Sequence, residues 1–273
     1  MDEAARQAIA EQLAGLIGTG RQVAPISQRF RGFDLVAGYD VVHRVQKLRE
    51  AAGENPVGRK VGFTNRNIWD TFSISAPVWN FVFDRTVHEM AAPLAVVDIS
   101  KFCEPLIEPE LVLHLGETPK PGMNEAELAG CVDWVAPGFE IVHSIFPGWE
   151  FSAADAAAAY GMHGALFIGP KCRLSADGSA AGAPISGFEV TLRSDAGEAR
   201  RGSSSDILGG PLKVLSYIVE EIARYPGSAP LRQGEVVTTG TLTDAMPAKP
   251  GETWRASFEG IELAPIALRL GQA

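Results

Sequence analysis

The chain changes its hydrophobic pattern once, near residue 55. Before that point, apolar residues recur three or four positions apart in two stretches, residues 3–17 and 35–52. This spacing gives each stretch one apolar face, so we expect two amphipathic helices. Residues 1–55 are therefore predicted to form a small helical N-terminal segment.

After residue 55 the chain consists mainly of short β-branched and aromatic runs separated by glycine and proline, which is typical of strands. We expect two helices among them. Asn124 followed by Glu127 has the spacing of a capping box ahead of ELAGCVDWV, and Pro211 suits the first turn of PLKVLSYIVEEIARY. Strands gathered after a helical segment predict an α+β fold, with residues 56–273 forming one domain of mixed, rolled or sandwich-like sheet.

Composition narrows the class of protein. The 273 residues, 46% of them hydrophobic, fit one large domain with a small appended segment. The net charge of −9 argues against nucleic acid or an anionic membrane as a partner. Three cysteines without CxxC spacing indicate reduced thiols, and no apolar run reaches membrane-spanning length. We expect a cytoplasmic protein without a signal peptide or membrane span.

Two glutamates interrupt an otherwise apolar run, LIEPELVL, at residues 106–113. In a strand, residues two positions apart face the same way, about 7 Å apart, so Glu108 and Glu110 converge on one surface. Such a pair costs free energy unless an arginine, a shared proton or a metal ion lies between them. An edge strand whose acids are solvated or salt-bridged is an equally open interpretation.

A third glutamate, Glu140, lies in another apolar run, PGFEIVHS. Alone it would be typical of a surface acid. Together with Glu108 and Glu110 on neighbouring strands, it would complete an oxygen-rich site of the kind that holds Mg²⁺ or Mn²⁺ and leaves positions open for water and substrate.

Other candidate residues lie near glycines. Lys60 in GRKVGFT is either an ordinary surface lysine or an ammonium group that holds a carboxylate or moves a proton. His163 in AYGMHGALFIG is either a proton donor and acceptor or a hydrogen-bonded structural residue. The turn at Thr239 and Gly240 can offer hydroxyl and backbone N–H groups to a carboxylate.

Five segments, taken in order, resemble the fumarylacetoacetate hydrolase superfamily, and within it the branch of 2-keto-4-pentenoate hydratases and 4-oxalocrotonate decarboxylases. The segments are GRKVGFT, IEPEL, FEIV, GSSSDILGGPL and LRQGEVVTTGTL. The resemblance implies a mixed β-sandwich roll, a Mg²⁺ or Mn²⁺ ion, a small 2-keto acid substrate and a homo-oligomer of two or more subunits.

The resemblance also implies roles for individual residues. Glu108, Glu110 and Glu140 match the metal ligands of the family, and Lys60 matches its lysine. The implied reaction is hydration of a 2-hydroxy-dienoate, or of a related unsaturated 2-keto acid, through a metal-stabilised enolate, as in the catabolism of aromatic compounds. Asp155 matches a family position, and we expect it to take part in catalysis with Lys60 and His163.

The chain departs from the family pattern at several positions. Val78 replaces an aspartate that the hydratases carry, and Ala159 and Tyr160 replace an Asp-Asn pair. His163 stands where the family has a small residue. Trp79, Tyr160 and His163 together indicate a different substrate, bulkier or aromatic, and we expect Trp79 and Tyr160 to contact it along with Thr239 and Gly240.

Three classes of alternative to hydration remain at this point. The first lies within the family: decarboxylation of a 4-oxalocrotonate-like acid, or carbon–carbon hydrolysis of an acylpyruvate. Outside catalysis, the departures at Val78, Ala159 and Tyr160 favour a binding protein that kept the fold. The third alternative is a metal-free sheet protein with solvated acids.

Overall fold

The computed structural model describes residues 1–92 and 94–271. Its helices, in chain order, are α1 (Glu3–Ala14), α2 (Ile26–Arg29), α3 (Leu35–Ala51), α4 (Trp69–Phe72), α5 (Glu125–Gly130), α6 (Ala153–Ala158) and α7 (Pro211–Arg224). Short 3₁₀ turns lie at Arg66–Ile68, Pro147–Trp149 and Tyr160–Met162. No helix within the described ranges has the length and apolar character needed to cross a membrane.

The strands of the first half of the chain are β1 (Pro56–Gly62), β2 (Val78–Phe83), β3 (Val87–Glu89), β4 (Leu94–Asp98), β5 (Leu106–Leu115), β6 (Val132–Val142), β7 (His163–Ile168) and β8 (Cys172–Arg173). Those of the second half are β9 (Ser179–Ala180), β10 (Ala183–Pro184), β11 (Glu189–Ser194), β12 (Ala199–Ser203), β13 (Val236–Thr238), β14 (Met246–Pro247), β15 (Thr253–Glu259) and β16 (Ile266–Gly271).

Two curled sheets build the body of the molecule. The larger has the order β2-β1-β13-β5-β6-β7-β3, with β14 pairing with β5 and β8 with β6. The smaller has the order β12-β11-β15-β16-β4, and β9 and β10 form a separate hairpin. Parallel pairs (β1 with β13, β3 with β7, β4 with β16) occur beside antiparallel ones, so both large sheets are mixed. The predicted α+β class is confirmed.

The long antiparallel pair β5–β6 is the centre of the larger sheet. Alternate residues on β5 face opposite sides, so Leu111 and Leu113 enter one core while Glu108 and Glu110 face the other way. Phe139 and Ile141 of β6 enter a second core beneath the smaller sheet, which includes Trp254.

The N-terminal helices pack on α6, which consists of alanines around Asp155. All six residues of α6 are buried. Their small size lets α3 approach closely: a Cβ atom at Gly38 would lie 2.9 Å from the carbonyl oxygen of Ala154. Because α6 leads directly into residues 160–163 and β7, this packing supports one wall of the site described below.

Most of the predicted helices are present, with shifted ends. The first helix ends at Ala14, and the capping box of Asn124 and Glu127 is formed. The prediction that this helix continues through CVDWV is wrong, because Val132 begins β6 and its run of apolar residues pairs with β5. Helix α6 and the short helix α2 were missed, since an all-buried alanine helix and a single helical turn carry little amphipathic signal.

Candidate active site

Strand register brings three glutamates together. Glu108 on β5 lies directly opposite Glu140 on β6, and Glu110 lies opposite Gly138, which has no side chain to fill the space. One oxygen atom from each of the three carboxylates lies within 4.8 Å of the other two. We call Glu108, Glu110 and Glu140 the carboxylate cluster.

The cluster is buried and incompletely satisfied. Glu110 and Glu140 are fully buried, and Glu108 is partly buried. Glu110 Oε1 has no hydrogen-bond donor, and Glu140 Oε2 has only the Lys60 ammonium, 3.3 Å away. A buried carboxylate oxygen without a donor is costly, so these two atoms fit a bound cation. A donor set made only of carboxylate oxygens suits a hard divalent ion such as Mg²⁺ or Mn²⁺.

The three carboxyl groups differ in pKa because their surroundings differ. Burial and the repulsion of Glu140 and Glu108 hold the pKa of Glu110 well above its usual range. Burial also raises the pKa of Glu108, to about 7, against the attraction of Lys60. For Glu140, the attraction of the Lys60 ammonium and the bond from His163 outweigh burial and lower the pKa to about 2.

Lys60 supplies the positive charge of the site. Its Nζ atom donates to the carbonyl oxygen of Gly161 at 2.9 Å and lies 3.3 Å from Glu140 Oε2. Burial alone would lower the pKa of this ammonium, but the three carboxylates outweigh that penalty and raise it. Gly161 is required here, because it has φ of +62° and an added Cβ would lie 2.7 Å from Lys60 Cδ.

His163 lies behind Glu140. Its Nδ1 atom is 2.6 Å from Glu140 Oε1, and its Nε2 atom is 2.9 Å from the Thr86 hydroxyl. Burial lowers the pKa of His163 despite the nearby carboxylate, so the ring is neutral. Because a carboxylate can only accept, Nδ1 carries a proton and donates to Glu140, while Nε2 faces the Thr86 hydroxyl, which also lies 3.1 Å from the Phe83 carbonyl oxygen.

The C-terminal turn closes the cluster from another side. The backbone N–H of Gly240 donates to Glu110 Oε2 at 2.9 Å. Gly240 has φ of +83°, and a Cβ there would lie 2.1 Å from Thr64 Oγ1. Thr239 faces away, with its hydroxyl donating to the carbonyl oxygen of Leu111.

A cleft of about 870 Å³ opens over these residues. Its lining includes Lys60, Glu108, Gly161 and Gly240. Substrate-sized clefts that contain a few converging polar groups and perturbed pKa values are the usual form of an active site.

Four predicted site residues have side chains that neither line this cleft nor hydrogen-bond to the carboxylate cluster. Asp155 completes a capping box with Ser152 and also accepts from the Ser27 hydroxyl and backbone N–H. Trp79 is stacked on Tyr39 on the opposite face of β2 from Asn80. Thr239 and Tyr160 have buried hydroxyls that donate to backbone carbonyls, of Leu111 and Leu13 respectively.

Sequence reasoning also missed residues that line or support the cleft. Gly161 and Asn80 fix Lys60 from two sides, and Thr64 packs against Gly240. Gly161 follows α6 by three residues, which in the sequence is only a weak signal of a functional position. The fold brings this glycine against Lys60. Apolar side chains on the lining, among them Phe72 and Phe151, have no sequence signature at all.

Comparison with known proteins gives consistent matches. The family model described as fumarylacetoacetate (FAA) hydrolase C-terminal matches residues 59–265. A 2-hydroxyhexa-2,4-dienoate hydratase of Comamonas testosteroni is 24% identical over 257 residues, covering 94% of each chain. A 4-oxalocrotonate decarboxylase of a Pseudomonas species is 25% identical over 222 residues, covering 81% of this chain and 80% of the other.

Among solved structures, the 4-oxalocrotonate decarboxylase of Pseudomonas putida G7, complexed with magnesium and adipate, superposes with a TM-score of 0.89. The match covers 99% of this chain and 98% of that one at 22% identity. At this level of identity the superposition establishes a common fold.

We expect Asp155→Asn to lower the free energy of unfolding by about 2 kcal/mol or more. The substitution turns a charged acceptor of four hydrogen bonds into a neutral amide that can accept at only one atom, and bonds to charged groups contribute about 1.5–3 kcal/mol each. Urea denaturation measures the change. The exposed Asp177→Asn, whose amide oxygen can still accept the one bond from the Ser179 backbone N–H, is the control. Equal stability of the two variants would contradict the capping role.

Proposed function

The chain belongs to the fumarylacetoacetate hydrolase family, and from this premise we propose that it is a metal-dependent lyase. The proposed reaction adds water to a 2-hydroxy-dienoate or a related unsaturated 2-keto acid. The observation that carries the proposal is the carboxylate cluster beside a cleft that Glu108 lines. In this cluster Glu110 Oε1 has no hydrogen-bond donor, and Glu140 Oε2 has only the Lys60 ammonium. The hydratase relatives, aligned over nearly their whole length, support the reaction type.

Glu108, Glu110 and Glu140 would hold the cation, as Mg²⁺ or Mn²⁺. When bound, it would supply positive charge for the carboxylate and 2-oxo oxygens of the substrate and so stabilise an enolate. The β5–β6 register holds the three carboxylates close together even without a bound cation.

Lys60 would bind and orient the substrate at its Nζ atom. An ammonium has three donors, of which one is used by Gly161 and a second points towards Glu140, so one remains for the cleft. Because the neighbouring carboxylates raise its pKa, Lys60 is protonated in the metal-free protein. In this state its Nζ atom can donate a hydrogen bond to a carboxylate in the cleft.

His163 would act as a positioning residue. Both of its nitrogens are used, on Glu140 and Thr86, and the ring does not line the cleft. The bond from Nδ1 fixes one oxygen of Glu140 and leaves Oε2 turned towards Lys60. Partners of this kind orient a ligating carboxylate and increase metal affinity.

Decarboxylation of a 4-oxalocrotonate-like acid is the second candidate, favoured by the decarboxylase relative and by the similar fold of a decarboxylase. Both reactions pass through the same type of stabilised enolate, so the carboxylate cluster alone does not separate them. Assembly into a homo-oligomer and a cytoplasmic location stay predictions.

We expect Mg²⁺ together with oxalate, a mimic of the 2-oxo acid end, to raise the melting temperature of the wild type. A ligand at about 100 times its Kd contributes about 2.7 kcal/mol, which for a chain of this length corresponds to roughly 5 °C. Glu110→Gln should abolish this rise. The exposed Glu262→Gln is the matched control and should keep it.

Without metal, Glu110→Gln should melt at or above the wild-type temperature. The pKa of Glu110 is raised in the folded state, so its ionisation opposes folding, and the amide removes that penalty. A shift with Mg²⁺ and oxalate that persists in Glu110→Gln would remove this residue from the proposed ligands, and no shift in the wild type would refute the metal site.

We expect His163→Ala to weaken Mn²⁺ binding about 10- to 100-fold, because Glu140 loses the bond that orients it. His163→Asn can still donate to Glu140 and should recover part of the affinity. Titration of Mn²⁺ followed by electron paramagnetic resonance measures binding without turnover. Unchanged affinity in both variants would show that His163 only packs.

A substrate panel tests the reaction. We expect 2-hydroxypenta-2,4-dienoate or its longer homologues to be converted to 4-hydroxy-2-oxo acids, with no CO₂ from 4-oxalocrotonate and no cleavage of an acylpyruvate. Lys60→Met should reduce turnover by about 10²-fold or more, whereas the exposed Lys249→Met should not. Release of CO₂ as the main activity would favour the decarboxylase. Metal binding without any turnover would favour a binding protein.

A further inference from the structure

One part of the cleft lining is strongly apolar. Four aromatic side chains, which we call the aromatic wall, share the cleft with Lys60 and Glu108: Phe63, Phe72, Phe151 and Trp149. All four are partly buried, so their rings are held by the protein while one side of each faces the cleft. A five- or six-carbon acid bound at its 2-oxo acid end has no need of so large an apolar surface.

The aromatic wall is continuous with the carboxylate cluster. Leu106 and Val142 form the cross-strand pair one step beyond Glu108 and Glu140, on the same face of the sheet and about 7 Å away. Leu106, like Val142, lines the cleft and packs with Phe63, Trp149 and Phe151 in one apolar cluster. A ligand with its acid end at the carboxylates can therefore extend over these two aliphatic side chains onto the aromatic wall.

The wall is built to be rigid. Phe72 contacts Phe63 edge to face with ring centres 4.7 Å apart and stacks on Phe151 at 5.8 Å, and Trp149 lies 6.0 Å from Phe151. The indole N–H of Trp149 donates to the carbonyl oxygen of Glu104. Ring pairs at these distances are favourable in themselves, so the wall does not need a ligand to form.

Backbone strain is concentrated at the same place. Within residues 1–92 and 94–271, eight non-glycine residues have positive φ, and four of them line the cleft: Phe63, Trp149, Met162 and Leu208. Positive φ is costly for bulky side chains and persists where the surrounding structure imposes it, which is common at ligand sites. Two of these four, Phe63 and Trp149, are members of the aromatic wall.

The cations of the polar lining are weak partners for a second carboxylate. Arg66 and Arg201 are both exposed to solvent, which screens their charge, and Arg66 lies over the rings of Trp69 and Tyr217. Arg201 shares its stretch of the lining with Asp206 and Asp244, whose charges oppose a dianionic ligand.

We infer that the substrate carries an apolar substituent of about phenyl size at the end remote from its 2-oxo acid group, and that the aromatic wall binds this substituent. The inference rests on the proposed function for the acid end of the substrate. It assigns Phe72 and Phe151 as specificity-determining residues, because they are the two central rings of the wall.

Three saturated 2-oxo acids, which cannot be hydrated, test the inference by calorimetric titration in Mg²⁺: 2-oxopentanoate, 5-phenyl-2-oxopentanoate and 2-oxoadipate. We expect the phenyl compound to bind at least about tenfold more tightly than 2-oxopentanoate, a difference of about 1.4 kcal/mol. 2-Oxoadipate, which carries a second carboxylate, should bind no more tightly than 2-oxopentanoate.

Phe72→Ala and Phe151→Ala should remove most of the phenyl advantage while leaving the affinity for 2-oxopentanoate within about twofold. Phe258→Ala, at a partly buried ring in the smaller sheet, is the matched control and should keep the advantage. Circular dichroism establishes folding, and Phe72→Leu and Phe151→Leu replace any alanine variant that fails to fold.

The outcomes separate the two proposals. Equal affinity for all three acids, tighter binding of 2-oxoadipate, or a phenyl advantage that survives both wall variants would overturn this inference and leave the proposed function standing. Failure of oxalate and of all three acids to bind in Mg²⁺ would overturn the proposed function and the inference together.

Discussion

The burial of three carboxylates around one ammonium is the constraint on which the rest of the structure depends. Lys60 offsets only part of the negative charge, and the pKa values of two carboxyl groups, Glu108 and Glu110, are raised. Such an arrangement lowers the stability of the protein without a cation. The surrounding elements must therefore hold the three carboxylate side chains in place.

The elements that hold the carboxylate cluster come from different parts of the chain. The β5–β6 register places Glu108 against Glu140, β7 contributes His163, and Gly240 donates from the turn after β13. The N-terminal helices act indirectly. They anchor α6 and the turn after it, through the bonds of Asp155 to Ser27 and of Tyr160 to Leu13, and this turn presents the Gly161 carbonyl to Lys60. The helical segment thus belongs to the architecture of the site.

This organisation gives several departures from the family pattern a physical meaning. Val78 lies in the main apolar core, and the Tyr160 hydroxyl donates to a backbone carbonyl oxygen of helix α1, so both side chains serve packing. His163 uses both ring nitrogens behind Glu140. None of these changes removes a member of the carboxylate cluster. The inferred preference for a substrate with an apolar end therefore rests on the apolar lining, where Phe72 and Phe151 lie.

The sequence by itself determined the class of fold, most helices and strands, and the identity of the cluster, because alternation along LIEPELVL puts Glu108 and Glu110 on one face and the order of motifs marks the family. From the sequence, both Lys60 and Asp155 are candidate catalytic residues. In the structure Lys60 reaches the carboxylate cluster, whereas Asp155 is fully buried and caps helix α6. The sequence did not reveal the aromatic wall. These depend on which distant segments meet, and strand register and helix packing decide that through contacts between residues far apart in the chain.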